Sequence, residues 1–273
     1  MSHLEVDSIQ VIAMLPKLTD LSLTIPDGIP LDYTGVEGGF PSLTDLWLQG
    51  STSDACKFLG VSRLPALQEL NIDLYSGQSP LSDIAAINCL LRSCPFLRRL
   101  VLSFPFMPGI DDLQLWSIFE PLLELTRLEY LRYNIPLPIS HQKACRIPSA
   151  WPHLKYFSLP ESSTGDSSPV ETLAHFARHC PNLENLCYPI QLQITTPTTV
   201  IQIHPTLSRH PLCRLTSFVE TEIMAAHAMA QALHQIFPNL AEVVGPGDGW
   251  AEVQKILHSF QGPIPNSRGV GES

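Results

Sequence analysis

A chain of 273 residues with 44% apolar content can bury a substantial core, and its 15% of charged residues lies well below the ~25% usual in soluble domains. A formal net charge of −10 and a pI near 5.4 set the average surface against phosphate backbones and anionic membranes, so neither nucleic acid nor membrane is expected as a partner. No run approaches the ~18 apolar residues of a membrane span, and the acidic start MSHLEVDSIQ lacks the basic-then-apolar order of a secretory signal, which predicts a cytoplasmic or nuclear protein.

Leu4, Val11, Ile12 and Leu15 share one face of a helix predicted over 4–15. It leads into LPKLTDLSL at 15–23, whose offsets return in FPSLTDLWL at 40–48 and LPALQELNI at 64–72. They return again in CPFLRRLVL at 94–102, WPHLKYFSL at 151–159 and CPNLENLCY at 180–188. LTRLEYLRY at 125–133 lacks the proline, FPNLAEVVG at 237–245 loses the last apolar residue, and a degraded copy includes Leu215 and Phe218. The first motif leucines, Leu18, Leu43, Leu67, Leu97, Leu128, Leu154, Leu183, Leu215 and Leu240, stand 24 to 32 residues apart. That period belongs to a solenoid, whose units bury their apolar faces only by stacking on one another.

Within each copy the last two apolar positions are two residues apart, as Leu100 and Leu102 are, so both side chains leave one face of a short strand. Between copies the spacing becomes helical. Ile84, Ile87, Leu91 and Cys94 line one side of SDIAAINCLLRSC, and Leu173, Phe176, Ala177 and Cys180 do so in ETLAHFARHC. Ser168, Pro169 and Glu171 match the N-cap, first helical position and capping-box acid of the second helix. Leu15, Phe40, Leu64, Cys94, Trp151, Cys180 and Phe237 each precede the motif proline, and are predicted to close a helix with an apolar anchor while the proline bars its continuation. The motif is thus a helix-to-strand joint. Seven cysteines without a CxxC pair read as reduced, structural thiols, with Cys94 and Cys180 in equivalent buried places.

The LxxLxL strands, this period and the intervening helices resemble leucine-rich repeats. The CPxLxxLxL copies at Cys94 and Cys180 resemble the cysteine-containing subtype found in the carboxy-terminal solenoid of F-box proteins, the divergent fungal ones in particular. The resemblance covers roughly residues 5–248. It implies an α/β horseshoe of about eight to nine irregular repeats, with parallel strands on the concave face and helices on the convex one. The expected organisation is a repeat domain over 1–248, a terminal helix over 249–260 and a disordered tail over 261–273. Two departures from the family matter. Its consensus places Asn or Cys eight residues after the first leucine, where this chain has Pro26, Ser51, Tyr75, Pro105, Pro136, Ser162 and Gln191, so the regular polar ladder is absent. No segment resembles an F-box, the helical module that docks on a Skp-type adaptor. A Skp-type adaptor is therefore an expected partner only if an F-box lies upstream of this chain, and the first predicted helix reads as that of a unit whose strand is missing, leaving an uncovered solenoid end.

Little of the sequence points to chemistry. His175 and His179 are four apart on a predicted helix, a spacing that lets two imidazoles share a metal, but no HExxH accompanies them and surface histidines beside a buried helix end are expected. GPGDGW at 245–250 reads as a turn leaving the last repeat, GVEGGF at 35–40 as a flexible loop, and SSTGDSSP at 162–169 as an exposed connection. With no GxSxG elbow and no Walker lysine, neither catalytic residues nor cofactor nor metal is expected, and the chain is not read as an enzyme.

Because side chains alternate along a strand, the residues flanking the last two leucines face the opposite, exposed side of the sheet. In chain order these are Asp20 and Ser22, Asp45 and Trp47, Glu69 and Asn71 with Asp73 beyond, Arg99 and Val101, Tyr130 and Arg132, Tyr156 and Ser158, and Asn185 and Cys187. Acids occupy the first three rungs; arginines and tyrosines occupy rungs four to six. Trp47, Arg99, Tyr130, Arg132 and Tyr156 are the candidate protein-binding residues, since such side chains combine large contact area with a polar handle. The resemblance makes the chain a protein-interaction module, the substrate-recognition part of an F-box-like ubiquitin ligase component. The alternatives are a free-standing repeat scaffold or inhibitor unrelated to ubiquitin, and a GTPase activator built on ribonuclease-inhibitor-like repeats.

Overall fold

The computed structural model describes residues 6–25, 33, 36–75, 80–104, 112–137, 140–160, 168–169, 171–191, 210–218 and 226–261. In the first half, α1 (Val6–Ala13) leads into β1 (Asp20–Thr24), followed by β2 (Asp45–Ser51), α2 (Thr52–Val61), β3 (Glu69–Tyr75) and α3 (Pro80–Leu91). Next come β4 (Arg99–Ser103), α4 (Asp112–Phe119) with a 3-10 turn at Glu120–Glu124, and β5 (Tyr130–Tyr133). The second half runs α5 (His141–Ala150), β6 (Tyr156–Ser158), β7 (Ser168–Pro169), α6 (Glu171–His179), β8 (Asn185–Cys187) and β9 (Ile190–Gln191). It ends with β10 (Arg214–Thr216), α7 (Ala226–Ile236), β11 (Glu242–Val244) and α8 (Asp248–Gln261).

Nine of these strands form one sheet in the order β1-β2-β3-β4-β5-β6-β8-β10-β11, every pairing parallel, so spatial order is chain order. One strand per repeat, stacked in sequence and backed by helices, is a leucine-rich-repeat solenoid. The second motif leucine sets the register: Leu21, Leu46, Leu70, Leu100, Leu131, Phe157, Leu186, Leu215 and Val243 stand side by side across the sheet. Slipping any strand by one residue would turn this row out of the core.

A shared hydrogen-bond device starts the strands. Two successive N–H groups donate to one carbonyl of the preceding unit, as Arg98 and Arg99 do to Gln68 (2.8 and 3.0 Å) and Glu184 and Asn185 do to Lys155 (2.8 and 3.1 Å). Inward side chains of strands and helices merge into one continuous core from Ile9 to Leu257. The helix stripes predicted on α3 and α6 are buried: Ile84, Ile87, Leu91 and Cys94, and Leu173, Phe176, Ala177 and Cys180. So are six of the seven residues preceding the motif prolines: Phe40, Leu64, Cys94, Trp151, Cys180 and Phe237.

This anchor position also does something that an apolar reading misses. Trp151 donates its Nε1–H to the carbonyl of Leu122 (3.3 Å), and Cys180 directs its thiol at the carbonyls of Pro148 and Trp151 (3.4 and 3.5 Å). His210, which stands before Pro211, donates its Nε2–H to the carbonyl of Cys180 (3.0 Å). Four successive repeats are thus stitched through three buried donors at the helix-to-strand joint. Burial pushes the Cys180 thiol up to about 12, so it remains a neutral donor. Asn134 supplies a comparable link elsewhere, bracketing the N–H and carbonyl of Phe104 (2.7 and 3.0 Å). All seven cysteines are free.

Four expectations from the sequence require correction. In the degraded repeat the buried positions are Leu212, Leu215 and Ser217, whereas Phe218 is exposed. The repeat has lost one residue between proline and first leucine, so Leu215 is the second motif leucine and the spacings around it become 29 and 28. On α1 the inward face is Ile9 and Ala13, while Val11 and Leu15 are exposed and Ile12 only leans on the core. Leu15 therefore anchors no helix, and together with Met14 it leaves an apolar surface at this end. No helix ends at Phe40, which is reached in a left-handed turn (φ 61°) from Gly38 and Gly39 and donates its N–H to the carbonyl of Ala13 (2.8 Å). A Cβ on Gly39 would lie 2.7 Å from that of Ala13, so glycine is required where this turn crosses α1. Finally, Ser168 and Pro169 form β7 against β9, and α6 begins at Glu171.

At the other end α8 buries Trp250, Val253 and Leu257 and closes the core. The GPGDGW turn owes its first glycine to this packing, since a Cβ on Gly245 would collide with the Trp250 ring. Residues 262–273 of the expected tail, and residues 162–167 of the SSTGDSSP connection, lie outside the described residues. Among the described residues no helix is long and apolar enough to cross a membrane.

Candidate functional site

The outward face of the parallel sheet is organised by the same register that builds the core. One row reads Asp20, Asp45, Glu69, Arg99, Tyr130, Tyr156, Asn185, Arg214 and Glu242, one residue from each strand. Two residues further along lies a second row, Ser22, Trp47, Asn71, Val101, Arg132, Ser158, Cys187, Thr216 and Val244. Adjacent strands sit ~4.8 Å apart, so each row is a line of neighbours.

Over β1 to β4 the face is hollowed. A cavity of about 460 Å³ is lined by Asp20, Ser22, Asp45, Trp47, Glu69, Asn71 and Arg99, with Leu21, Leu46 and Leu70 at its floor. Trp47 is 50% exposed there, an unusual position for an indole. The carboxylates of Asp20 and Asp45 accept hydrogen bonds from the hydroxyls of their own neighbours Thr19 and Thr44 (2.6 and 2.7 Å). No cation among the described residues is paired with either.

Towards the middle of the sheet the first row becomes a chain of direct contacts. Arg99 lies 3.7 Å from the Glu69 carboxylate, and its guanidinium carbon is 3.8 Å from the centre of the Tyr130 ring. Tyr130 in turn stacks on Tyr156, rings 4.2 Å apart and within 6° of parallel. Partial burial, followed by the neighbouring Tyr130, raises the Tyr156 phenol above its ordinary range. Acid, guanidinium and two rings thus form one pre-ordered strip, with little side-chain freedom left to lose on binding.

Three of the five candidate residues, Arg99, Tyr130 and Tyr156, come together in this strip. Trp47 stands apart in the acidic hollow, two strands from Arg99. Arg132 is exposed in the second row and makes no ion pair among the described residues. Its charge acts on Cys187 two strands away, whose thiol is nevertheless raised by burial. The sequence also points to Asp20, Asp45, Glu69 and Asn71 on this face, but not to their enclosing a cavity. Curvature and the lie of the Arg99 side chain are tertiary properties with no local signal.

On the opposite side, the rings of His175 and His179 stack with centres 6.3 Å apart, and no group of three His, Cys, Asp or Glu suited to a metal occurs among the described residues.

No protein-family model matches the chain, and no curated protein matches its sequence. Among solved structures the chain is similar to the leucine-rich repeat-containing protein LegL7 from Legionella pneumophila, at 14% sequence identity and a TM-score of 0.41, over 95% of this chain and 94% of that one.

Proposed function

We propose that the chain is a protein-recognition module that takes its ligand on the strand face, across β2 to β6, with Trp47, Arg99, Tyr130, Arg132 and Tyr156 as the principal contacts. The observation that carries this reading is the pairing of a half-exposed tryptophan in an acidic hollow with a pre-ordered Arg99–Tyr130–Tyr156 strip on the same face. The repeat requires no particular side chain at these places, so solvent-facing aromatics there need another reason. Five rungs at ~4.8 Å span about 20 Å, comparable to one side of a standard interface.

Within that reading we favour the substrate-recognition part of an F-box-like ubiquitin ligase component. Its support is the resemblance of CPFLRRLVL and CPNLENLCY to the cysteine-containing repeat subtype. A free-standing scaffold would use the same face without a Skp-type adaptor. Affinity purification with the native chain and with a Tyr130→Ala, Arg132→Ala double variant tests the face. Capture should fall at least ~5-fold for the variant and weaken in raised salt. Equal capture by a folded variant, with loss on substitutions of the helix side instead, would show that the binding face is elsewhere.

A further inference from the structure

The hollow over β1 to β4 also indicates which chemistry the ligand brings. Asp20, Asp45 and Glu69 are directly opposite one another on adjacent strands, an arrangement of like charges that costs stability and that the repeat does not require. Among the described residues only Glu69 of the three has an ion-pair partner, Arg99, which is already committed to Tyr130. Beside these carboxylates, two residues along the strand from Asp45, the Trp47 ring is open to solvent. A planar cation that stacks on an indole while pairing with carboxylates is an arginine guanidinium, and a lysine ammonium meets the same demands less fully. The cavity of about 460 Å³ admits a side chain with its neighbours rather than a folded element.

The other end of the patch carries the opposite charge. Trp47 and Arg132 share the second row and are separated by three strand steps, β2 to β5. At ~4.8 Å per step this is about 14 Å, which an extended peptide covers in about four residues at ~3.4 Å each. Resting on the strand-face reading above, we infer that the ligand is an extended peptide segment crossing the strands, with a basic residue, arginine preferred, seated on Trp47 between Asp20 and Asp45, and an acidic residue about four positions away on Arg132. The spacing follows from the sheet and the order of charges from its two ends.

Random twelve-residue peptides displayed on phage and selected on the immobilised full chain test this, with synthetic versions of the enriched sequences then measured by fluorescence anisotropy. The selected peptides should pair an arginine or lysine with an acid about four residues away. Trp47→Ala and Asp45→Asn should each weaken binding at least ~5-fold while leaving thermal unfolding cooperative, and exchanging the two charged residues of a peptide for alanines should do the same. Enrichment of peptides without a basic residue, or binding indifferent to Trp47→Ala and Asp45→Asn but lost in the Tyr130→Ala, Arg132→Ala variant, would overturn the inference and leave the strand face as the binding surface. Binding lost only on helix-side substitutions would overturn both. Recovery of no peptide above bare support would overturn the inference alone, since protein capture by the strand face has its own test.

Discussion

His210 donates its Nε2–H to the carbonyl of Cys180 at 3.0 Å while its Nδ1 accepts the N–H of Leu212 at 3.2 Å. Both ring nitrogens are therefore spoken for in the neutral form. Protonating Nδ1 would aim a donor at a donor, in a site already buried against Phe237. Burial, partly offset by the Cys180 bond, holds the imidazole below its ordinary value of 6.5.

The sign of the pH dependence follows. Above about pH 6.5 the histidine is neutral in both folded and unfolded chains. As the pH falls below this, the unfolded chain takes up the proton first, so stability is lost. Denaturant unfolding of the native chain and of His210→Cys, compared between about pH 7.5 and 5.5, should show a fall specific to the native chain. Cysteine is the residue that two other repeats place here, so the variant should fold. Parallel pH profiles would mean that His210 does not resist protonation.

Leu100 tests the stacked core. It is fully buried, in register with Leu70 and Leu131 of the neighbouring repeats. Leu100→Ala should cost ~2–5 kcal/mol in denaturant unfolding, because the removed methyl groups leave a cavity between the strand row and the helices that the stacked repeats can only partly close. A loss under ~1 kcal/mol would mean that the row relaxes freely.

The fold was largely legible because its signals are local and repeated. The strand leucines and the helix stripes of α3 and α6 repeat at fixed offsets, and each copy corroborates the others. Legibility failed where a copy departs from the pattern. With one residue missing after Pro211, Leu215 passes for the first leucine and Phe218, three residues on, for the second, while the structure buries Leu212, Leu215 and Ser217. It failed again at α1, where Val11 and Leu15 suggest a face that Ile9 and Ala13 occupy, because no neighbouring repeat fixes the phase. The stitching by Trp151, Cys180 and His210 was hidden for another reason: a donor aimed at a carbonyl some 30 residues away leaves no sequence spacing to read. Strand alternation identified the outward residues, but neither the hollow around Trp47 nor the Arg99–Tyr130–Tyr156 strip is a property of one strand.

That strip makes an energetic prediction. The Glu69–Arg99 pair is roughly half exposed on both sides, so its ionic part contributes little, and the guanidinium over the ring should dominate. A double-mutant cycle with Arg99→Met and Tyr130→Leu should give a coupling of ~0.5–1 kcal/mol, falling only modestly in high salt. Coupling that vanishes at high salt would assign the contact to charge alone.

The row of Asp20, Asp45 and Glu69 should show the cost of keeping a surface ready for a ligand. Asp45 is the middle carboxylate, with an acid directly opposite on either side. Asn at this position keeps an acceptor for the Thr44 hydroxyl, now 2.7 Å from Asp45, and removes only the charge. Relief of cross-strand repulsion should therefore raise unfolding stability by ~0.2–1 kcal/mol at low ionic strength. The gain should shrink at about 0.5 M salt, where screening already weakens the repulsion. The same substitution is expected to weaken capture of a basic peptide, so stability and binding should move in opposite directions. A destabilised Asp45→Asn would show instead that the carboxylate contributes to the fold through its hydrogen bond, and that the acidic row stores no repulsion for a ligand to relieve.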